Sequence, residues 1–174
     1  IGLTESDEAL LFAQQTGASA ILTAGSRVRA LIHGGDSEAM AFLRATESLG
    51  LHLDYTQSNG YKRLACIHTA FTEFKRAGKE RYQEGLSIIL AAWEGEPNSL
   101  RAQNVQGVIR FVDLYQGEFD ATRLIRQLRS VDPLTIYREG RAMGVNLTGY
   151  KRYLYQVYRI YNGSSQKNAL PIKF

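Results

Sequence analysis

The stretch 86-LSIILAAWEGEPNSLRAQNVQGVIRFVDLY-115 decides the fold of this chain. Apolar residues recur every three to four positions on both sides of its centre, which is the spacing of two helical faces that each need a partner. These residues are Leu86, Ile89, Leu90 and Trp93, then Val105, Val108, Val112 and Tyr115. Between the two faces, Gly95 can end the first helix in a left-handed conformation and Pro97 prevents its continuation. Asn98 or Ser99 is expected to cap the second helix.

The composition is that of one folded domain rather than a disordered or membrane-spanning chain. The sequence has 174 residues and a hydrophobic fraction of 44%, which suits a single well-buried core. No apolar run approaches the roughly 18 to 20 residues needed to cross a bilayer, and the start is unlike a signal peptide. We therefore expect a cytoplasmic protein with no membrane contact. Residues 1–162 should form a single helical domain, followed by a polar C-terminal tail at residues 163–174.

Start and stop signals along the chain predict about eight to nine short helices packed as a single irregular, orthogonal bundle, which is an all-α fold. The first helix is expected over residues 5–15, before Gly17. Two helices follow as an antiparallel hairpin that turns at Gly34 and Gly35. Asp36 is placed to cap the second helix of this hairpin.

A minor β-hairpin is expected after the third helix. Polar and apolar side chains alternate over residues 51–56, and Asn59-Gly60 is typical of a tight hairpin turn that leads to a return strand over residues 61–64. The helical stripe that follows includes His68. We interpret this residue as a core histidine rather than a ligand, because it lies on the apolar stripe. His33 and His52 have no histidine, cysteine or carboxylate neighbour at metal-ligand spacing.

The C-terminal third begins with two short helices. Asp120 caps the first, and Asp132 followed by Pro133 is a strong start for the second, which should end near Gly140 or Gly144. The spacing of the pair is that of a helix-turn-helix of the DNA-binding kind. Many corners between two helices have the same spacing, however, so the pattern alone does not identify that motif.

A last helix is expected from a cap at Thr148 to the Asn162-Gly163 terminator, with a strand as the alternative. Tyrosine, valine and isoleucine all favour strands. The apolar positions nevertheless repeat at helical spacing, and both ends carry helix signals. We therefore predict a helix that is rich in tyrosine.

Positive charge is concentrated at the C-terminal end of the chain. Residues 1–60 carry three basic and seven acidic side chains, whereas residues 151–174 carry five basic and no acidic ones. Arginine and lysine attract phosphates of any sequence, and tyrosine can stack on bases, so this pattern indicates a DNA-binding surface. The candidate DNA-binding residues are Arg123, Arg126, Arg129, Arg138, Arg141, Lys151, Arg152, Arg159, Tyr153 and Tyr155.

A second interpretation of the tyrosine-rich helix is a homodimer or protein-partner interface, because tyrosine and arginine are also enriched there. An enzyme is not expected. The sequence contains no phosphate-binding loop, zinc-protease, serine-hydrolase or calcium-loop motif. The single cysteine, Cys66, allows neither an internal disulfide nor a multi-cysteine zinc site. We therefore predict a non-enzymatic protein without a metal, cofactor or small-molecule substrate.

Five segments, taken in chain order, form a recognisable pattern: GLTESDEALLFAQQ, GGDSEAMAFLRATESLGL, the Leu86–Tyr115 stretch, FDATRLIRQL and VYRIYNG. Together they resemble the helical region that follows a ParB-like nuclease-type domain in proteins of actinobacterial phages and mobile elements. The most specific parts are the AWEGEPNSL corner, the helix containing Gly107, and Tyr161-Asn162.

This resemblance implies a helical accessory domain that takes part in DNA transactions. It also implies a ParB-like N-terminal domain that is absent from this chain, which begins at Ile1 rather than Met. The arginine-rich nucleotide-contacting motif of the ParB-like core does not occur here. Nuclease or nucleotide-hydrolysing activity is therefore not expected from any residue of this sequence.

Overall fold

The structure, a computed structural model, describes residues 4–15, 23–143, 147–165 and 167–174. In this part of the chain the α-helices are α1 Glu5–Gln15, α2 Ala24–His33, α3 Ser37–Glu47, α4 Ile67–Trp93, α5 Ala102–Leu114, α6 Ala121–Arg129, α7 Thr135–Ala142 and α8 Lys151–Asn162. α4 is kinked at Gly78, whose φ of 83° and ψ of 165° are not helical. The other elements are a short 3-10 helix, Pro97–Leu100, and two strands, β1 His52–Leu53 and β2 Arg63–Leu64. The predicted all-α fold class is confirmed.

α1 and α3 begin where their capping residues predict. α1 covers the predicted residues 5–15, and the Asp36 carboxylate accepts a hydrogen bond of 2.8 Å from the backbone of Ala39 at the start of α3. The helix ends predicted at Gly17 and Gly144 lie outside the described residues. Within the described ranges, no helix combines the length and the apolar character that crossing a bilayer requires.

α4 and α5 form the centre of the bundle and pack extensively against each other, as the Leu86–Tyr115 stretch predicts. Both predicted stripes enter the core. The fully buried members are Leu86, Ile89, Val105, Val108, Val112 and Tyr115. Trp93 is only half-buried. Its indole N–H donates to the Val131 carbonyl at 3.1 Å, which ties the end of α4 to the segment after α6.

The corner between these helices differs from the prediction in its capping. Glu94 and Gly95 both adopt the left-handed conformation that ends α4. Asn98 and Ser99 do not cap α5, because the 3-10 turn that starts at Pro97 places them too early in the chain. The Ser99 hydroxyl instead donates to the backbone carbonyl of Glu96 at 2.6 Å, which closes that turn.

The predicted β-hairpin around Asn59-Gly60 is wrong, because β1 and β2 are paired in parallel. Asp54 causes the difference. Its buried carboxylate accepts hydrogen bonds from the backbone and hydroxyl groups of Thr56 and Ser58, which curls the chain immediately after β1. Asn59 has a positive φ of 49°, but it lies within a longer loop that turns the chain twice and returns it in the same direction.

The interpretation of His68 as a core residue is also wrong, since this side chain is exposed in the first turn of α4. The stripe that enters the core there consists of Ile67, Ala70, Phe71 and Phe74. Phe71 and Phe74 pack against the ring of Phe42 on α3. His68 therefore lies outside this buried stripe.

The C-terminal helices surround α5 and the end of α4. α8 packs on α5, α6 packs on α4 and α8, and α7 packs on α5 and α8. The helix at residues 151–162 is confirmed over the strand alternative. Its predicted cap at Thr148 is not used, because the helix starts after Tyr150. Asp132 accepts a hydrogen bond from the Leu134 backbone at 2.7 Å, so α7 begins slightly later than predicted.

Candidate functional site

Two of the predicted DNA-binding arginines connect parts of the fold. Arg123 donates to the backbone carbonyls of Asn162 and Asn168 at 3.0 Å each, which links α6 to the C-terminal tail. Arg129 donates to the carbonyl of Ala91 on α4 at 2.7 Å. Because these guanidinium groups already bind backbone acceptors, they are poorly suited to contact phosphates.

Two predicted residues on α8 face the C-terminal tail. Tyr155 is half-buried, and its ring centre lies 6.0 Å from that of Tyr158 and 6.4 Å from that of Phe174. Lys151 lines a pocket together with Arg110 of α5. This side of α8 is therefore partly covered by the protein itself.

Arg126 on α6 and Arg159 on α8 are exposed. Arg159 shares a shallow depression with Glu139 of α7. The carboxylate of Glu139 opposes the binding of an anion in that depression. These two arginines add positive charge to the surface without belonging to an organised cluster.

The remaining predicted residues converge with two others on one surface. We call it the basic–aromatic surface, and it consists of Arg101, Tyr137, Arg138, Arg141, Arg152 and Tyr153. Arg138 is included because it is exposed on α7 three residues before Arg141, the spacing at which side chains on one helix are neighbours. Its central ring belongs to Tyr137 of α7. The guanidinium carbons of Arg101 and Arg141 lie 5.6 Å and 5.7 Å from the centre of that ring, and Arg141 also donates to the Tyr137 hydroxyl at 2.8 Å.

Gly140 brings the α8 part of this surface against α7. A Cβ atom at this position would lie 2.6 Å from Cδ1 of Tyr153, which is closer than real Cβ atoms come to a ring. The absence of a side chain at Gly140 therefore lets Tyr153 pack directly on α7. The neighbouring Arg152 packs beside this tyrosine, with its guanidinium carbon 5.7 Å from the centre of the Tyr153 ring.

The electrostatics of this surface favour an anionic ligand. The hydrogen bond to the Tyr137 hydroxyl raises the pKa of Arg141, so this guanidinium remains fully charged. Arg101, Arg138 and Arg141 are all exposed. Arg152 is half-buried, and its Nε atom is buried without an acceptor among the described residues. A buried donor without an acceptor is the kind of group that a ligand can satisfy.

Sequence reasoning missed Arg101 and Tyr137. Arg101 lies before the basic third of the chain, and only the fold brings it next to α7. Tyr137 had a local signal, because it stands four residues before Arg141, the spacing at which side chains on one helix meet.

α6 and α7 are not arranged as a helix-turn-helix. In that motif the two helices form one compact unit that presents the second helix to the major groove. Here each helix packs mainly on other elements, α6 on α4 and α8, and α7 on α5 and α8. The basic–aromatic surface therefore depends on α7, α8 and the start of α5, and α6 does not take part in it.

The fold and this surface define an all-α protein with an organised cationic face and, among the described residues, no cluster of three or more histidine, cysteine or carboxylate side chains that could bind a metal. The chain belongs to a family of unknown function, DUF6551, whose model matches residues 1–174. No curated protein and no solved structure matches the chain.

Proposed function

We propose that this protein is a non-enzymatic DNA-binding domain whose basic–aromatic surface contacts the phosphate backbone. The observation that supports this proposal is the arrangement around Tyr137, which holds Arg101 and Arg141 on one exposed face. Guanidinium groups that are already oriented lose less conformational entropy on binding than free side chains do.

The contacts available to this surface favour the DNA backbone over the bases. Arg101 directly precedes α5, Arg138 lies on α7, and both are exposed, so they can reach separate phosphates. α7 is short, with eight residues, Thr135–Ala142. Ile136 and Gly140 of this helix are buried, so few of its side chains are free to contact bases. Phosphate contacts position a protein on DNA without reading its sequence. We therefore expect weak sequence preference and strong dependence on salt.

The cellular context is part of the same proposal. The resemblance of the sequence to the region after a ParB-like domain favours an accessory role in DNA transactions of a phage or mobile element, in the cytoplasm. The charge distribution agrees with this role, because the positive charge is concentrated in the C-terminal part of the chain, which contributes most of the basic–aromatic surface.

Fluorescence anisotropy with a labelled DNA duplex at two salt concentrations tests the proposal. The chain should bind at low salt, and the double variant Arg101→Glu/Arg141→Glu should bind roughly tenfold or more weakly, with a salt dependence reduced by about one unit for each lost phosphate contact. Arg44→Glu/Arg27→Glu is the matched control, because both residues are exposed on α3 and α2 and the change of charge is the same.

Two results would overturn the proposal. One is the absence of binding at low salt. The other is an equal loss of affinity in the control pair, which would mean that only the net charge matters. Circular dichroism of each variant should show unchanged helix content, since all four arginines are on the surface.

The alternative, a homodimer or protein-partner interface on the tyrosine-rich helix, has less support. Tyr161 is buried in the core, and the Tyr158 hydroxyl donates to the Leu170 carbonyl of the same chain at 3.0 Å. Tyr155 packs on Phe174. Light scattering at high concentration tests this alternative, and a stable dimer that dissociates in a Tyr155→Ala variant would favour it over DNA binding.

A further inference from the structure

A second cationic site lies apart from the basic–aromatic surface. It is a pocket of about 270 Å³ where α4, α5, the start of α8 and the C-terminal tail meet. We call it the basic pocket. Four cationic side chains and one carboxylate line it: Arg76, Arg110, Lys151, Lys173 and Asp113. Tyr150 and Phe174 contribute aromatic walls.

A buried carboxylate behind this pocket orients two of its arginines. The Glu73 side chain has no exposed surface. Its two oxygens accept hydrogen bonds from Nε of Arg76 at 2.7 Å and from Nε of Arg110 at 2.8 Å. Because Glu73 binds both guanidinium groups through Nε, their terminal nitrogens remain for other acceptors. A buried acid that fixes two arginines in this way is a positioning residue.

Arg110 is held from a second direction by an aromatic ring. Its guanidinium carbon lies 3.5 Å from the centre of the Tyr150 ring, the shortest such distance in the described part of the chain. Within the same ranges, the terminal nitrogens of Arg110 donate to no acceptor, whereas one terminal nitrogen of Arg76 donates to Asp113 at 2.6 Å. Arg110 therefore presents a rigid fork of donors beside the pocket.

The charge of the pocket selects an anion. Asp113 is neutralised by its ion pair with Arg76, and Lys173 forms an ion pair with Glu118 at the rim. Arg110 is itself paired with the buried Glu73, so the four cations exceed the carboxylates of Glu73, Asp113 and Glu118 by one charge. Lys151 is the lining cation that forms no ion pair among the described residues. A planar fork of guanidinium donors next to an ammonium group matches the tetrahedral oxygens of phosphate.

We propose that the basic pocket binds a phosphate group, with Arg110 and Lys151 as its direct ligands and Glu73 as the positioning residue. The phosphate can belong to a small phosphate monoester or to the backbone of a nucleic acid. This inference does not rest on the proposed DNA-binding surface, because Arg110 and Arg76 belong to α5 and α4 rather than to α7.

The test uses the whole chain and inorganic phosphate as the probe. Isothermal titration calorimetry, with chloride at matched ionic strength as the reference, should show saturable binding of phosphate. Lys151→Glu should weaken it about tenfold or more, since it replaces a charge-assisted donor with a repelling charge. Lys79→Glu is the matched control, because this exposed α4 residue carries the same charge and does not line the pocket.

Arg110→Gln should abolish phosphate binding, although it also leaves Glu73 with one partner fewer and can lower stability. Lys151→Glu therefore decides the outcome if the Arg110 variant does not fold, since Lys151 does not contact Glu73. Binding of phosphate no stronger than that of chloride, or equal weakening by Lys151→Glu and Lys79→Glu, would overturn the proposal.

The source of the phosphate follows from a parallel DNA titration. If Lys151→Glu weakens the binding of inorganic phosphate but leaves the binding of the DNA duplex unchanged, the ligand is a small phosphate compound. If it weakens both, the pocket receives a backbone phosphate. Loss of DNA binding in the Arg101→Glu/Arg141→Glu variant with phosphate binding retained would show that the two sites are independent.

Discussion

At the scale of single residues, Asp54 shows how one buried acid shapes a loop. The residue is only 3% exposed, and its carboxylate accepts four hydrogen bonds from Thr56 and Ser58. Burial acts to raise the pKa of this carboxyl, but the four hydrogen bonds outweigh it and lower the pKa to about 2. The ionised form is therefore part of the folded structure.

This gives stability a defined dependence on pH. The folded pKa of Asp54 lies below the ordinary value of about 3.9, so its contribution is present above about pH 4 and is lost as the pH falls through 2. We expect Asp54→Asn to lower the free energy of unfolding by about 1–2 kcal/mol at pH 7. The difference from the parent chain should shrink between pH 5 and pH 2, as measured by urea denaturation.

Asp36→Asn is the control for this measurement. Asp36 caps α3 with a single side-chain bond to Ala39, and asparagine caps helices about as well as aspartate. Asp36→Asn should lower the free energy of unfolding much less than Asp54→Asn does. An equal effect of the two variants, or a loss for Asp54→Asn that stays constant down to pH 2, would contradict the role given to Asp54.

The sequence could predict buried apolar residues better than buried charged ones. Val105, Val108 and Val112 repeat at helical spacing and are buried as expected. Glu73 is as deeply buried, yet in TEFKR it looks like part of a solvated helical face. Its burial depends on Arg110, which is far away in sequence. Periodicity carries no information about such a distant ionic partner.

At the scale of elements, the helices were predictable because their signals are local. Caps, terminators and apolar stripes all lie within one helix or next to it, as at Asp36 and Gly163. The parallel pairing of β1 and β2 was not predictable in the same way. It depends on the backbone of His52 and Asp54 meeting that of Lys62 and Leu64 after a loop. The Asn59-Gly60 dipeptide contains no information about the path of that loop, so it could not predict the parallel pairing.

The crossing of α5 and α8 depends on a glycine. A Cβ at Gly107 would lie 3.0 Å from the Tyr153 carbonyl oxygen and 3.2 Å from Cγ2 of Val157. The carbonyl belongs to the α8 backbone, so it cannot move without shifting the helix. Gly107 therefore sets how closely α8, and with it Tyr153 of the basic–aromatic surface, approaches α5.

We expect Gly107→Ala to lower the free energy of unfolding by about 1–3 kcal/mol, because overpacking outweighs the higher helix propensity of alanine. Chemical denaturation measures this loss. Gly25→Ala is the matched control, since its Cβ would meet only Ile67, at 3.9 Å, within α2. That variant should be neutral or slightly stabilising. A stabilising Gly107→Ala would mean that α5 and α8 separate easily.

At the scale of the whole molecule, the end of the chain completes the core. The Tyr115 hydroxyl donates to the Pro171 carbonyl at 2.8 Å, and Asn162 exchanges hydrogen bonds with Leu170. The Phe174 ring centre lies 5.9 Å from that of Tyr158. The composition of residues 163–174 indicated only a polar tail, because the partners of this segment lie on α5 and α8.

Removal of residues 170–174 tests how much the tail contributes to stability. The truncated chain loses the hydrogen bonds to Tyr115 and Tyr158 and the packing of Phe174. We expect its free energy of unfolding to fall by about 2–4 kcal/mol. For a chain of this size the Tm should fall by roughly 5–15 °C in a thermal melt followed by circular dichroism.

Lys173→Gln separates the tail's charge from its packing. Both members of the Lys173–Glu118 pair are partly exposed, at 31% and 46%, so this variant should lower the Tm by no more than about 3 °C. If the truncation and the point variant had the same small effect on the Tm, the tail would be only loosely attached.

In the truncated chain the basic pocket also loses Lys173 and Phe174 as part of its wall. Phosphate should then bind more weakly to the truncated chain than to Lys173→Gln, because the packed tail closes one side of the pocket.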